Sequence, residues 1–279
     1  TCCGRWRSMR IERRPGFPAP GQPGLFWLGQ AGFWIETGAH RLLIDPYLSD
    51  SLAIKYAGKP NDHRRMMPAP VGVEDLPRPD LVLVTHAHTD HMDPMTLGPL
   101  HRRFPDLPFV VPAAREDQAR ERIGAAANLV LADAGDRLHP LPGLELAVFP
   151  AAHEGFDLDA QGRHPFLGYG IRAGDLRIYH SGDCIPFAGL ENLIAAFAPQ
   201  IALLPVNGRD SARLGAGIPG NFTLDEALAL ASSLPYLIPH HFGMFAFNTA
   251  DPALIDRAAN ERSQGQTRIL RPIAGETLH

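Results

Sequence analysis

The segment LVLVTHAHTDHMDP, residues 81–94, contains three histidines and two aspartates directly after an apolar run. Imidazole and carboxylate groups together are typical ligands of zinc, iron and manganese. In an extended chain, residues 86, 88 and 90 point to one side, and a loop that leaves the strand can turn residue 91 back beside them. The spacing therefore predicts two adjacent ions, with His86 and His88 on one and Asp90 and His91 on the other. A chance cluster of surface histidines is the alternative, and the apolar strand directly upstream argues against it.

Four side chains are too few to hold two ions, so other strand ends should supply further ligands. His153 follows the run LAVFPAA, Asp183 follows LRIYHSG, and His240 and His241 follow YLIP. A carboxylate such as Asp183 can bridge two ions, and two ions about 3.5–4 Å apart can share one activated water. The spacing by itself does not choose between His240 and His241.

The composition is that of a globular protein of 279 residues, with 45% hydrophobic and 20% charged residues. The 26 basic and 30 acidic side chains leave a net charge of −4, so no positive field favours nucleic acid or an anionic membrane. No apolar run approaches the roughly 18 residues that span a bilayer. Three cysteines, Cys2, Cys3 and Cys184, provide no disulfide framework. We therefore expect a soluble cytoplasmic protein without a nucleic-acid or membrane partner.

Short apolar strands alternate with helical patterns in both halves of the chain, which predicts an α/β protein whose sheets are covered by helices. Asp93 and Pro94 form a favoured helix start, and Thr223 with Glu226 forms a capping box. Three short strands are expected between residues 24 and 48, and residues 51–78 are expected to form a loop. The pattern alone does not distinguish a two-sheet sandwich from one doubly wound sheet.

The order H-x-H-x-D-H after an apolar strand, a later histidine, a G-D pair and a final histidine after a strand resembles the metallo-β-lactamase-fold hydrolase superfamily. The resemblance begins at about Leu25 and covers most of the chain. Within the superfamily, IDPYLSD, YHSGD and IPHHFGMF resemble the branch that contains L-ascorbate-6-phosphate lactonase, the UlaG-like proteins. The resemblance implies an αββα sandwich, with an N-terminal extension over residues 1–24 and a single domain over residues 25–279.

The resemblance also implies a ligand set and a reaction. One metal ion would be held by three histidines and the other by two histidines and an aspartate, with a carboxylate between them: His86, His88 and His153; Asp90, His91 and His241; and Asp183. Histidine and aspartate ligands suit zinc or manganese, so two such divalent ions are the expected cofactors. A metal-bound hydroxide would attack the substrate, and Asp90 or Asp183 would pass a proton to the leaving group.

The substrate expected from the resemblance is a small lactone or related ester, with or without a phosphate group. Arg65 and Arg209 are candidates to bind its anionic group, with a solvated surface role as the alternative. A phosphodiesterase of phospholipase-D type and a non-catalytic metal-binding scaffold are the competing functions. Because superfamily members often self-associate, a homo-oligomer is a further expectation.

Overall fold

The computed structural model describes residues 11–263 and 265–279, and Cys2 and Cys3 lie outside these ranges. Within the described residues one sheet has eight strands and the other has seven. The strands of the first sheet are β1 (Arg13–Pro15), β2 (Gly24–Gly29), β3 (Gly32–Glu36), β4 (Arg41–Ile44), β5 (Leu81–Leu83), β6 (Pro108–Pro112), β7 (Asn128–Ala132) and β15 (Glu276–Leu278). Their spatial order is β1-β15-β2-β3-β4-β5-β6-β7.

The second sheet consists of β8 (Arg137–Leu141), β9 (Leu144–Pro150), β10 (Leu167–Ala173), β11 (Leu176–His180), β12 (Ile201–Pro205), β13 (Tyr236–His240) and β14 (Arg268–Ile269). Its spatial order is β14-β13-β12-β11-β10-β9-β8. The α-helices are α1 (Ser51–Lys55), α2 (Pro94–Arg103), α3 (Glu116–Ile123), α4 (Leu190–Phe197), α5 (Ser211–Gly215), α6 (Leu224–Leu230) and α7 (Pro252–Glu261).

Alternating side chains of the first sheet separate two layers of the core. In β2, Leu25 and Trp27 belong to the cluster that contains the second sheet, whereas Phe26 and Leu28 belong to the cluster that contains α2 and α3. This division follows from the two-residue period of a strand, which sends successive side chains to opposite faces. Buried residues of α4, α6 and α7 pack into the cluster of the second sheet. The αββα sandwich is therefore confirmed, and the doubly wound sheet is excluded.

The predicted local signals are found at their expected positions. The side chain of Asp93 accepts a hydrogen bond from the Met95 backbone N–H at the start of α2, with a proline in its first turn. The Thr223–Glu226 capping box starts α6, and β10 and β11 pair as an antiparallel hairpin. The segment 51–78, predicted as a loop, begins with the single helical turn of α1.

The chain ends of the described part meet in the first sheet. β1 pairs with β15, and β15 pairs with β2, so residues 13–15 of the predicted N-terminal extension form an edge strand of this sheet. No local pattern in the sequence predicts β1 or β15, because strands of three residues carry little hydrophobic periodicity. Among the described helices, none is both long enough and apolar enough to cross a membrane.

Candidate metal centre

The predicted ligands lie at the carboxyl ends of four strands. The loop after β5 carries the histidine motif, and His153, Asp183 and His241 follow β9, β11 and β13. These three strands run in the same direction, because β10 is antiparallel to both β9 and β11, while β11, β12 and β13 are parallel. Their carboxyl ends therefore lie at one edge of the second sheet, opposite the end of β5.

All seven predicted ligands come together there in two groups, and the ligand atoms of each group lie within 4.8 Å of one another. The groups are His86, His88, His153 and Asp183, and Asp90, His91 and His241. Asp183 also contacts the second group, since its Oδ1 lies 3.3 Å from His91 Nε2 and its Oδ2 lies 3.2 Å from His241 Nε2. The geometry thus places Asp183 between the two groups, in the position that a bridging carboxylate would occupy.

Several of these polar atoms are buried and have no hydrogen-bond partner among the described residues. They include His86 Nε2, His91 Nε2 and Asp183 Oδ1. A buried donor or acceptor without a partner costs about 1–3 kcal/mol, so native structures seldom retain several of them side by side. A cation at each group would be ligated by these atoms, and the imidazole and carboxylate donors fit zinc or manganese.

The protonation states suit metal binding. Burial lowers the pKa of His86 well below the usual value, and burial lowers the pKa of His153 to about 4. Both rings are therefore neutral near pH 7 and retain the lone pair that a metal ligand needs. Burial also acts to lower the pKa of His91, but Asp183, Asp45 and Asp90 raise it well above the usual value. The three carboxylates therefore favour a positive charge at His91.

A buried hydrogen-bond network sets the orientation of two ligand rings. Asp45, which follows β4, accepts hydrogen bonds from the Thr85 backbone N–H at 2.8 Å and the Thr85 hydroxyl at 2.6 Å. His91 Nδ1 lies 2.7 Å from Asp45 Oδ2, and His86 Nδ1 lies 3.0 Å from the Thr85 hydroxyl. Because the carboxylate only accepts and the hydroxyl already donates to it, each histidine carries its proton on Nδ1. The Nε2 atoms of both rings therefore remain available to the metal site.

Sequence analysis did not predict a role for Asp45. Its signals in the sequence are its place in the IDPYLSD motif and its position after a buried strand, like that of the predicted ligands. Its backbone φ of +43° is unusual for a residue other than glycine and turns the side chain back toward Thr85.

Gln30 connects the second group to the first sheet and was also missed. Its side-chain Nε2 donates to Asp90 Oδ2 at 2.7 Å and lies 3.2 Å from His241 Nε2. Its backbone carbonyl accepts a hydrogen bond from the His241 backbone N–H. Gln30 and His241 both have positive φ values. In the first group, His153 Nδ1 lies 3.0 Å from the Gly220 carbonyl, which orients that ring in the same way.

The other histidine after β13 has a different environment. His240 is fully buried, and its ring stacks on His180 with centroids 4.7 Å apart. His180 in turn donates from Nε2 to the Ala31 carbonyl and accepts from the Gly182 backbone N–H at Nδ1. His180 and His240 thus form a packed layer beside the cluster, as predicted for residues outside the ligand set.

Comparison with known proteins decides the family. A model described as Beta-lactamase superfamily domain matches residues 40–242, which is more than half of the chain. The chain belongs to this superfamily. A "UPF0173 metal-dependent hydrolase" of Aeropyrum pernix is 28% identical to it over 89% of this chain and 94% of that protein. A protein of the same name from Hyperthermus butylicus is 29% identical over 88% of this chain and 95% of that protein.

A solved structure confirms the fold of this superfamily member. The structure of an isothiocyanate hydrolase from Delia radicum gut bacteria superposes with a TM-score of 0.74, 22% sequence identity, and coverage of 92% of this chain and 98% of that one. The predicted superfamily and the metallo-β-lactamase fold are therefore confirmed. The assignment to the UlaG-like branch stays a prediction.

The metal centre of this superfamily member lies at the bottom of a cavity of about 750 Å³. His88, Asp90, His153, Asp183 and His241 line its floor, and the rest of the lining comes mainly from α1 and its following loop, α3 and residues 216–219. His88 is the exposed member of the ligand set. The centre can therefore be reached by a small molecule.

Arg65 and Arg209, predicted to bind the substrate, have other partners and are not part of the cavity lining. The Arg65 guanidinium donates to the carbonyls of Tyr47, Ser49 and Met67. Arg209 forms a two-point ion pair with Glu226, with both N–O distances at 2.6 Å. These contacts hold loops and a helix cap in place.

Proposed function

We propose that this protein is a metal-dependent hydrolase of a small lactone or related ester. The observation that carries the proposal is the pair of His/Asp groups, joined by Asp183, at the floor of an open cavity. Two divalent ions bound there would make water acidic enough to supply hydroxide near neutral pH and would polarise the bond to be cleaved. The preference for a lactone rests on the motifs shared with the UlaG-like branch. The names of the curated relatives support metal-dependent hydrolysis in general.

The chain's own side chains have separable tasks in such a reaction. Asp183 holds the two groups together, and its side chain is only 4% exposed. Asp90 is the more accessible carboxylate, at 16% exposure, and it lines the cavity. Although burial raises its pKa, His91 and His241 lower it below the usual value, so the carboxylate is ionised and can accept a proton. We propose that Asp90 passes this proton to the leaving group. Gln30 orients the Asp90 carboxylate by donating a hydrogen bond to it.

A purely structural metal site is the main alternative. Structural sites are closed by their protein ligands, whereas catalytic sites keep a position open to the substrate. The exposed His88 and the cavity above the cluster favour the catalytic role. We propose zinc or manganese as the metal because of the donor chemistry, and two ions per chain because of the resemblance. We also propose a cytoplasmic location, which rests on cysteine usage, and a homo-oligomeric state, which rests on the resemblance.

The test combines metal analysis with a substrate panel. The parent protein and the His86→Ala and Asp183→Ala variants are loaded with zinc or manganese and assayed on a lactone, a linear ester, a phosphodiester, a β-lactam and an isothiocyanate. We expect lactone or ester hydrolysis in the parent and less than about 1% of that rate in both variants, with less bound metal. His139→Ala, at an exposed histidine of β8, is the matched control and should keep both properties.

Other outcomes would change the assignment. Faster turnover of the phosphodiester than of any ester would favour the phosphodiesterase. Full ester hydrolysis in metal-free parent protein would overturn the proposal, and a parent protein that binds metal but hydrolyses nothing would favour the scaffold.

A further inference from the structure

The chain contains only two lysines among its 26 basic residues, and both of them line the cavity above the metal centre. Lys55 is the last residue of α1, and Lys59 follows four residues later. The other basic side chains of the lining are Arg115 and Arg122. The two acidic side chains of the lining, Asp90 and Asp183, belong to the metal centre.

Neither lysine has an acidic partner within the described part of the chain. Two other basic residues nearby have partners within the protein. Arg64 pairs with Asp62 at 2.6 Å, and Arg122 donates to the backbone carbonyls of Ala87 and Met92. The charges of Lys55 and Lys59 are therefore not neutralised by the protein, so an anion in the cavity would meet them without first displacing an ion pair.

Both ammonium groups are placed by the same aromatic ring. Lys55 Nζ lies 5.4 Å and Lys59 Nζ lies 5.1 Å from the centroid of the Tyr56 ring, within the range of cation–π attraction. The Tyr56 ring stacks on His63 at 4.2 Å, and His63 contacts Phe245 and Phe247 edge to face. All four rings line the cavity. This aromatic wall keeps the two charges close to each other and offers an aromatic surface beside them.

We propose that Lys55 and Lys59 form the anion-binding side of the substrate pocket and that the substrate is an organic acid. The acid would carry a carboxylate or phosphate at the lysines, an apolar portion on the aromatic wall, and its hydrolysable bond at the metal centre. Lysine ammonium groups act as point charges and do not require the planar two-oxygen geometry that arginine favours, so both kinds of anion fit. This inference rests on the proposed function for the position of the cleaved bond.

The scarcity of lysine allows a direct binding test. Reductive methylation with ¹³C-formaldehyde keeps the positive charge and labels only the two lysines and the chain's terminal amine. The metal-loaded protein is titrated with benzoate, phenyl phosphate and the neutral benzamide, and the signals are assigned with K55Q and K59Q. We expect benzoate, phenyl phosphate or both to shift the two lysine signals, and benzamide to shift neither. The anion that shifts the lysine signals at the lower concentration shows whether the site prefers a carboxylate or a phosphate.

The kinetic test uses two esters of equal size, one neutral and one with a carboxylate far from the ester bond. Each exposed ion pair changes binding by up to about fivefold, so loss of both lysines in the K55Q/K59Q variant should raise KM for the anionic ester by about twofold to 25-fold. We expect kcat to stay within about twofold, because the lost interaction is the same in the ground state and the transition state. Arg64→Gln, which removes a charge from the same loop outside the cavity lining, is the matched control and should leave both constants unchanged.

The outcomes separate the two proposals. Lysine signals that move no more than the terminal amine signal, or equal KM values in parent and K55Q/K59Q, would overturn the anion-binding role while leaving hydrolysis intact. Absence of turnover for every ester would overturn the proposed function, and the titration would still decide whether the lysines bind anions.

Discussion

Asp45→Asn tests whether the hydrogen-bond network behind the metal centre sets the form of its ligands. The Asp45 carboxylate is fully buried, and its Oδ2 lies 2.7 Å from His91 Nδ1 and 2.6 Å from the Thr85 hydroxyl. Asparagine can keep one acceptor oxygen, for the Thr85 N–H, but then presents an NH₂ group to the other two atoms. His91 would have to accept at Nδ1 and carry its proton on Nε2, the atom that faces Asp183. The Thr85 hydroxyl would no longer be held as an acceptor for His86.

The magnitude follows from these contacts. Loss of a residue that orients a metal-ligating histidine typically weakens metal binding by about 10- to 100-fold, or about 1.4–2.8 kcal/mol. The loss of two hydrogen bonds to a buried carboxylate should also lower the free energy of unfolding, by about 2–4 kcal/mol. Since domains are commonly stable by about 5–15 kcal/mol, we expect the variant to remain folded at 25 °C.

The assay is a competition titration of zinc against a chromophoric chelator, with circular dichroism to verify folding. Asp80→Asn is the control, because Asp80 also accepts a backbone N–H, that of Arg41 at 2.8 Å, but lies directly before β5, at the strand end remote from the metal centre. We expect tenfold or greater weakening for Asp45→Asn and less than twofold for Asp80→Asn. A folded Asp45→Asn variant that binds zinc as tightly as the parent would refute the role assigned to Asp45.

Two further predictions concern stability. Gly182 has φ of +62°, and an added Cβ would lie 2.5 Å from the Leu167 carbonyl oxygen, so Gly182→Ala should lower the free energy of unfolding by about 2 kcal/mol or more in urea denaturation. Gly174→Ala, at φ of +58° with no atom within 4 Å, should cost less, and equal losses would contradict the steric argument. In chelated protein, burial lowers the pKa of His153 to about 4. Between the usual pKa near 6.5 and 4 the unfolded chain binds more protons, so stability should fall as pH decreases through this window. His153→Gln should reduce that fall, and an unchanged slope across pH 6.5–4 would argue against a buried neutral ring.

Features that depend on neighbouring residues could be predicted from the sequence. The alternation of apolar residues, the Asp93 cap and the Thr223 capping box are decided by steric contacts and hydrogen bonds within a few residues. The histidine motif likewise places four ligand residues, three histidines and one aspartate, after one buried strand, where the chain's local geometry already limits which side chains can converge. These signals, together with the family resemblance, predicted the sandwich and the set of residues that the fold brings together.

The tertiary structure decided which side chains face the centre and which face the core. Residue patterns alone left His240 and His241 as equivalent, but the positive φ of His241 turns it toward Asp183, while His240 stacks on His180. Asp45 reaches Thr85 and His91 because β4 pairs with β5 in the first sheet. Gln30 contacts Asp90 of the same sheet and His241 of the second sheet, so the latter contact depends on how the two sheets pack. Packing also places the basic residues differently, because Arg65 and Arg209 are held by internal partners whereas Lys55 and Lys59 line the cavity. Contacts between segments this distant in sequence arise from the assembly of the whole core, and no local pattern encodes them.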